Sequence, residues 1–263
     1  MVNINKSITY IFILGLFIFC HSDLSAGKSA ENITNFKIDP DHIEIGAFFD
    51  GVPLLVSAEI PQSDGVVIEL EGKIQDVTLN KKGKRAFIWL NVAQIKVKNA
   101  PSLYILASSD RLDKICSEEE LEEELLGYVA IRRKITFESD KPLTGIEFDE
   151  FIKLKEHNGS YNINGKVKVD RLPNDRQKVT ATMHIPSFIP AGDYELFLYC
   201  FREGKLFKKA AANVFIKEVG LTSLTKNLAF NKPAIYGISA IIIALSAGIM
   251  MGLIFSKKSS GAH

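Results

Sequence analysis

The sequence has little that could carry out chemistry. Its 263 residues include three cysteines, five histidines, four methionines and one tryptophan. No two cysteines stand in a CxxC spacing, so a thiol-exchange site has no basis. No HxH, HxxxH or HExxH pattern occurs, so spacing gives no zinc site. There is no G-x-S-x-G elbow and no glycine-rich loop to cradle a phosphate. Charge of one sign is missing too: 32 basic and 31 acidic residues leave a net charge of +1. That balance lacks the basic excess of a nucleic-acid binder. The expectation is a non-catalytic protein with no cofactor, no metal and no nucleic-acid partner.

The remaining chemical candidates have plainer readings. Met183 and His184 are adjacent, which invites a copper site, but neighbours on a strand point to opposite faces. Asp39, Asp41 and His42 in "DPDH" could make a loose oxygen-rich site, and read better as a polar turn. Asn32 in "NIT" and Asn158 in "NGS" fit a glycosylation sequon, which matters only in a eukaryotic secretory pathway.

Long apolar runs are present, at the two ends. "AIYGISAIIIALSAGIMMGLIF", Ala234 to Phe255, is 22 residues without a charge. As a helix it spans roughly 33 Å, enough for a bilayer core of about 30 Å. Pro233 suits a first helical turn, Tyr236 an interfacial aromatic, and Lys257 and Lys258 a cytoplasmic flank. The segment 233–255 is therefore expected to span a membrane.

Within it Ala240, Ala244, Gly248 and Gly252 recur every four residues and form one ridge of small side chains, a candidate packing face. Near the N-terminus, Lys6 precedes a run from Ile8 to Cys20, thirteen residues long. That is short for a span and suits a signal peptide over 1–26, with cleavage after Ala26. Lipid modification at Cys20, or an uncleaved anchor, are the alternatives. The implied topology puts the chain up to about residue 230 outside the cytoplasm and a short tail, 256–263, inside.

The exported part reads as strands. "FKIDPDHIEIG", "VPLLVSAEI", "GVVIELEG", "RAFIWLNVAQIKV" and "SLYILASS" are short, apolar and separated by turn residues. In "VVIELEG", Val67, Glu69 and Glu71 share one face and Val66, Ile68 and Leu70 the other. "NKKGKR" reads as a charged hairpin turn. "KVKVD", "KVTATMHIP", "DYELFLYCF" and "AANVFIKEV" repeat the pattern later, with a hairpin turn at Glu203–Gly204.

"VKNAPSLYILA" and "FIPAGDYELFL" each place a proline and a short turn before an aromatic. Tyr104 and Tyr194, 90 residues apart, thus hold like places. The fold class expected is mainly β. Immunoglobulin-like sandwich lobes occupy 31–110 and 161–220, with a helical insertion over 111–160 and a juxtamembrane segment over 221–232.

In the insertion, Ser117 and Glu120 have capping-box spacing and open one acidic helix, with Leu121, Leu125 and Leu126 as its stripe and Gly127 as its stop. A second helix has Phe148, Phe151, Ile152 and either Leu154 or Lys155 at helical spacing. Cys116 and Cys200 could pair in an oxidising compartment, though Cys200 reads as a core thiol. The basic "KKGKR" and the acidic run Glu118 to Glu124 could dock partners of opposite charge, or simply be solvated.

"RAFIWLNVAQIKVKNAPSLYILASS", "FDEFIKLKEHNGSY", "IPSFIPAGDYELFLYCFREGKL" and "NKPAIYGISAIIIALSAGIMMGLIF" together resemble the transmembrane protein family first described in alphaproteobacteria, whose function is unknown. The "PAGDYELFLYCFREG" hairpin and "NKPAIYG" are the most specific parts. The family has no established catalytic residues, so the resemblance carries none over. It often occurs beside permeases of the sulfite-exporter type. The resemblance thus implies a bacterial inner-membrane protein with its large domain in the periplasm, accessory to a membrane partner such as an anion permease. The acidic "SEEELEEELLG" helix has no counterpart in that pattern. A periplasmic ligand- or metal-binding module is the rival expectation.

Overall fold

The computed structural model describes residues 32–85 and 87–256. The expected leader, with Cys20 and Ala26, lies outside the described residues, as does the tail from residue 257 onward. The first strands are β1 (Thr34–Asp39), β2 (His42–Ile45), β3 (Val52–Pro61) and β4 (Gly65–Glu71). A long hairpin follows, β5 (Ile74–Arg85) and β6 (Ile88–Pro101), and then β7 (Tyr104–Ser108). The insertion holds α1 (Leu112–Ile115), α2 (Glu118–Glu123), α3 (Gly127–Lys134), β8 (Thr136–Ser139) and α4 (Glu147–His157). Four strands complete the β part: β9 (Tyr161–Leu172), β10 (Arg176–Ile185), β11 (Gly192–Arg202) and β12 (Lys205–Glu218). Two helices end the described chain, α5 (Gly220–Asn231) and α6 (Pro233–Ser256).

The mainly-β class, the small helical insertion and the C-terminal apolar helix are as expected. The division into two lobes is not. Strands from both halves alternate in one nine-stranded sheet, ordered β1-β3-β10-β9-β7-β4-β11-β12-β2. β3 pairs with β10 from Val52↔Ile185 to Pro61↔Arg176, and β4 pairs with β11 from Gly65↔Phe201 to Glu71↔Glu195. Such partners are more than a hundred residues apart, and local periodicity carries no record of who pairs with whom.

The stretch "FKIDPDHIEIG" is also not one strand. It breaks at Pro40–Asp41 into β1 and β2, which form the two opposite edges of the sheet. One short segment therefore visits both edges, and the sheet is nearly closed.

Alternation then sorts the side chains. One sheet face holds Leu54, Val56, Ile68, Leu70, Val179, Tyr194, Leu196, Leu198 and Val214 in an inner core. The opposite face of β4, β7, β9 and β11 is not left to solvent. Val67, Tyr104, Leu106, Tyr161, Tyr199 and Phe201 meet Val97 of β6, Ile131 of α3 and Phe151 of α4 in a second core. The hairpin β5–β6 with β8 forms a separate three-stranded sheet over this layer.

Two local expectations shift. "NKKGKR" is not a turn: Lys81 to Arg85 continue β5, and the chain reverses between the paired residues Arg85 and Ile88. The acidic helix is shorter than expected. Ser117 does cap it, its side chain accepting from the Glu120 amide at 3.2 Å, but α2 stops at Glu123. Leu125 takes a φ of +54°, and Gly127, at +76°, begins α3 instead of ending α2. On α4, Lys155 is the residue that turns inward, over the rings of Phe151 and Tyr161, while Leu154 faces out. Its long stem covers apolar surface as a leucine would.

Candidate functional site

Two features stand apart from ordinary packing. The first is α6. Its 23 residues from Pro233 to Phe255 are long and apolar enough to cross a membrane, and none of that span is buried within the chain. A helix apolar on all sides with no protein covering must meet lipid or another helix. Ser239 and Ser246 return their hydroxyls to the carbonyls of Tyr236 and Ile242, both at 2.8 Å. No free donor is left on these two side chains to disturb lipid. Ala240, Ala244, Gly248 and Gly252 all lie in this helix and on its open surface. A Cβ added at Gly248 or Gly252 would meet nothing within 4 Å.

The second feature is a buried carboxyl. Glu69 of β4 is only 2% exposed. It lies between Leu106 of β7 and Phe197 of β11, its cross-strand partners. The Tyr199 hydroxyl donates to its Oε2 at 2.8 Å, while its Oε1 has no hydrogen-bond partner among the described residues. Tyr104, whose hydroxyl accepts from the Gly127 amide at 2.8 Å, also leans on this carboxyl.

Helix α3 closes the site from above. Its first amide is held by Tyr104, and its last residue, Lys134, grips both oxygens of Glu71 at 2.9 and 2.8 Å. Lys209 of β12 sits over the rings of Phe197 and Tyr199. Burial pushes the Glu69 carboxyl above its usual range, and the neighbouring Glu71 adds to this. The two tyrosines and Lys134 oppose the shift without cancelling it. Tyr104 and Tyr199 are pushed up in turn, first by burial and then by Glu69.

Beside this layer, at the end of the sheet, opens a cleft of about 900 Å³ whose lining includes Glu71, Lys73, Lys134, Asp193 and Phe215. Its charges are mixed, so it favours neither anion nor cation.

The family described as "Putative transmembrane protein (Alph_Pro_TM)" matches residues 35–257. The chain belongs to this family. No curated protein matches it. The matched region covers both features: the β domain with Glu69 and the whole of α6.

The other residues singled out in the sequence fall elsewhere in this family member. Tyr104 and Tyr194 are both fully buried, but they do not hold like places. Tyr104 faces the outer core and Tyr194 the inner one, on opposite sides of the sheet. Tyr194 donates to the Pro190 carbonyl at 2.7 Å, four residues back. Glu203 and Gly204 take φ of +51° and +76° in the two-residue turn that joins β11 to β12. Both left-handed positions suit the twist of a tight hairpin.

Cys116 and Cys200 are buried free thiols, each pushed up to about 11 by burial. Met183 points into the core and His184 to solvent. His42 pairs with Asp41 at 3.0 Å and packs on the Phe215 ring. Among the described residues no three His, Cys, Asp or Glu side chains gather as a metal set.

The acidic run is mostly exposed, yet three of its glutamates have partners. Glu120 accepts from the Leu206 amide at 2.7 Å, Glu122 pairs with Arg133, and Glu124 lies 3.6 Å from Lys209. Through Glu120 and Glu124 it ties α2 to β12 of the sheet.

Alternation in the sequence puts Glu69 on one face of β4 with Val67 and Glu71, and says nothing of its burial. Its flanks, Val67 and Glu71, gave no sign that a later segment would cover it.

Glu69 makes a pH prediction. Its folded-state proton affinity is raised, so the folded state keeps the proton to higher pH than the unfolded chain does. The contribution is fully present below the unfolded carboxylate value of about 4.3 and is lost as pH rises through the folded value. In Glu69→Gln that slope should vanish. Melting temperatures of parent and variant, taken from about pH 4 to neutrality, should diverge in the parent's disfavour as pH rises. A constant difference across that range would mean that Glu69 holds no extra proton.

Proposed function

We propose that this family member is a non-catalytic, single-pass accessory subunit. Its β domain stands on the exported, periplasmic side of a bacterial inner membrane, and α6 anchors it beside a membrane partner. The observation that carries this reading is α6, a fully apolar helix left bare by its own domain, following directly on α5. The small-residue ridge Ala240, Ala244, Gly248 and Gly252 is the face through which α6 packs on a partner's helix or on a second copy. An anion permease of the sulfite-exporter type is the first candidate partner, since proteins that this sequence resembles often occur beside such permeases.

The test begins with topology. A reporter fused after His263 should be active only as a cytoplasmic reporter, and one fused at Lys226 only as an exported one. A C-terminus found outside would refute the orientation. Affinity purification of the full chain from detergent-solubilised membranes should then bring down a polytopic membrane protein. Recovery of the chain alone as a monomer would refute the accessory role.

A further inference from the structure

The charges of the β5–β6 hairpin are segregated in a way that the family match leaves unexplained. Between Asp76 and Asp110 the sequence has no acidic residue, and it has six basic ones: Lys81, Lys82, Lys84, Arg85, Lys96 and Lys98. Lys96 and Lys98, near the hairpin's base, are paired with Asp76 and Glu138. Lys81, Lys82 and Lys84 have no carboxylate within ion-pair distance among the described residues.

The hairpin is also long. Twelve residues of β5 reach roughly 40 Å. The third strand, β8, supports β6 only from Ile95 to Lys98, so the outer part from Lys82↔Asn91 to Arg85↔Ile88 has no further strand partner among the described residues. At its tip stand Phe87 at 91% exposure, Ile88 at 62% and Leu90 at 51%. Leaving three large apolar side chains in water is unfavourable, and a core-building strand would not place them there.

We infer that this tip docks on the anionic lipid surface of the membrane in which α6 is anchored. Lysines without a carboxylate partner, Lys84 lying over the Phe87 ring, beside exposed Phe, Ile and Leu match a headgroup layer. The cations meet lipid phosphates, and the apolar side chains enter the acyl boundary. Each lysine contributes only about 1 kcal/mol at such a surface. A soluble domain would hold weakly by so little. Here α6 keeps the domain beside the bilayer, so the second contact is intramolecular and a weak one suffices. An acidic protein partner would account for the lysines but not for the apolar tip.

The inference rests on membrane anchoring by α6, which incorporation of the full chain into lipid nanodiscs checks independently. The chain's one tryptophan, Trp89, belongs to this tip and reports on it directly. In nanodiscs of phosphatidylcholine with phosphatidylglycerol, Trp89 emission should shift to the blue and be quenched by brominated acyl chains. In phosphatidylcholine alone both effects should be weaker, and added salt should weaken them further. Lys82→Glu with Lys84→Glu should remove the dependence on phosphatidylglycerol, and Phe87→Ser with Ile88→Ser should remove the quenching. All four positions are exposed, so melting should stay at the parental temperature. Trp89 remaining fully accessible to acrylamide in the anionic discs would overturn the inference. So would a blue shift that persists in detergent and in the charge variants, because the tip would then be covered by protein.

Discussion

Tyr194→Ala is expected to destabilise the folded protein by roughly 3 kcal/mol, the range for deleting a large buried aromatic. Tyr194 is 1% exposed and sits in the inner core with Leu196 and Leu198. Its ring rests where Gly72 leaves room: a Cβ at Gly72 would come within 2.6 Å of Tyr194 Cε1. Its hydroxyl ties the start of β11 to the Pro190 carbonyl at 2.7 Å. Alanine would open a cavity and release that turn together.

For a domain of this size the melting temperature should fall by roughly 10 °C. Tyr194→Phe separates the two effects. It keeps the ring and loses one hydrogen bond, worth about 1 kcal/mol. The measurement is a melting curve of the full chain in detergent micelles, followed by near-ultraviolet circular dichroism. An alanine variant that melts with the parent would show that the ring is not part of the core.

Why this tyrosine was legible in the sequence, and Glu69 was not, is a matter of range. "PAGDYELFLY" carries its own geometry: a turn, an aromatic and an alternating strand within one short stretch. The bond from Tyr194 to Pro190 spans four residues, so local pattern contains it. The same holds for the Glu203–Gly204 turn, for the Ser117 cap and for the membrane-length helix.

Glu69 belongs to the other kind. In the sequence Val67, Glu69 and Glu71 are one face of an alternating strand, with nothing to say what covers them. Val67 and Glu69 are interior because α3, more than fifty residues later, covers this layer and is held at both ends by Tyr104 and Glu71. The pairing of β3 with β10, which merged the two expected lobes into one sheet, is likewise a long-range event. The hairpin β5–β6 misled in a subtler way. Its lysines resemble a polar turn in composition, but paired strands tolerate such side chains when they project into solvent. The reversal fell between Arg85 and Ile88, beyond the charged run.

The helix α6 carries the other large prediction. Ala240, Ala244, Gly248 and Gly252 recur at steps of four, and each step turns about 40° beyond a full circle. The ridge therefore winds around the helix rather than running straight along it. Such a ridge fits a partner helix crossing with right-handed geometry near −40°, in which small side chains let the two backbones approach. Lipid offers no hydrophobic drive toward association, so the proposed association has to come from close packing along such a ridge.

Ala244→Leu with Gly248→Leu would fill the ridge at its centre with two branched side chains. Insertion should be unaffected, because leucine favours the bilayer core at least as well as the residues it replaces. Association, read as co-purification with a partner or as self-association in micelles, should weaken by roughly tenfold or more, about 1.4 kcal/mol. The level of protein in the membrane should not change. Ile242→Leu with Ile249→Leu, on faces covered by large apolar residues, is the matched control and should associate like the parent. If the ridge variant associates at parental strength, or if an unrelated apolar helix substitutes fully for α6, the helix is an anchor and nothing more, and any partner must be held by the β domain.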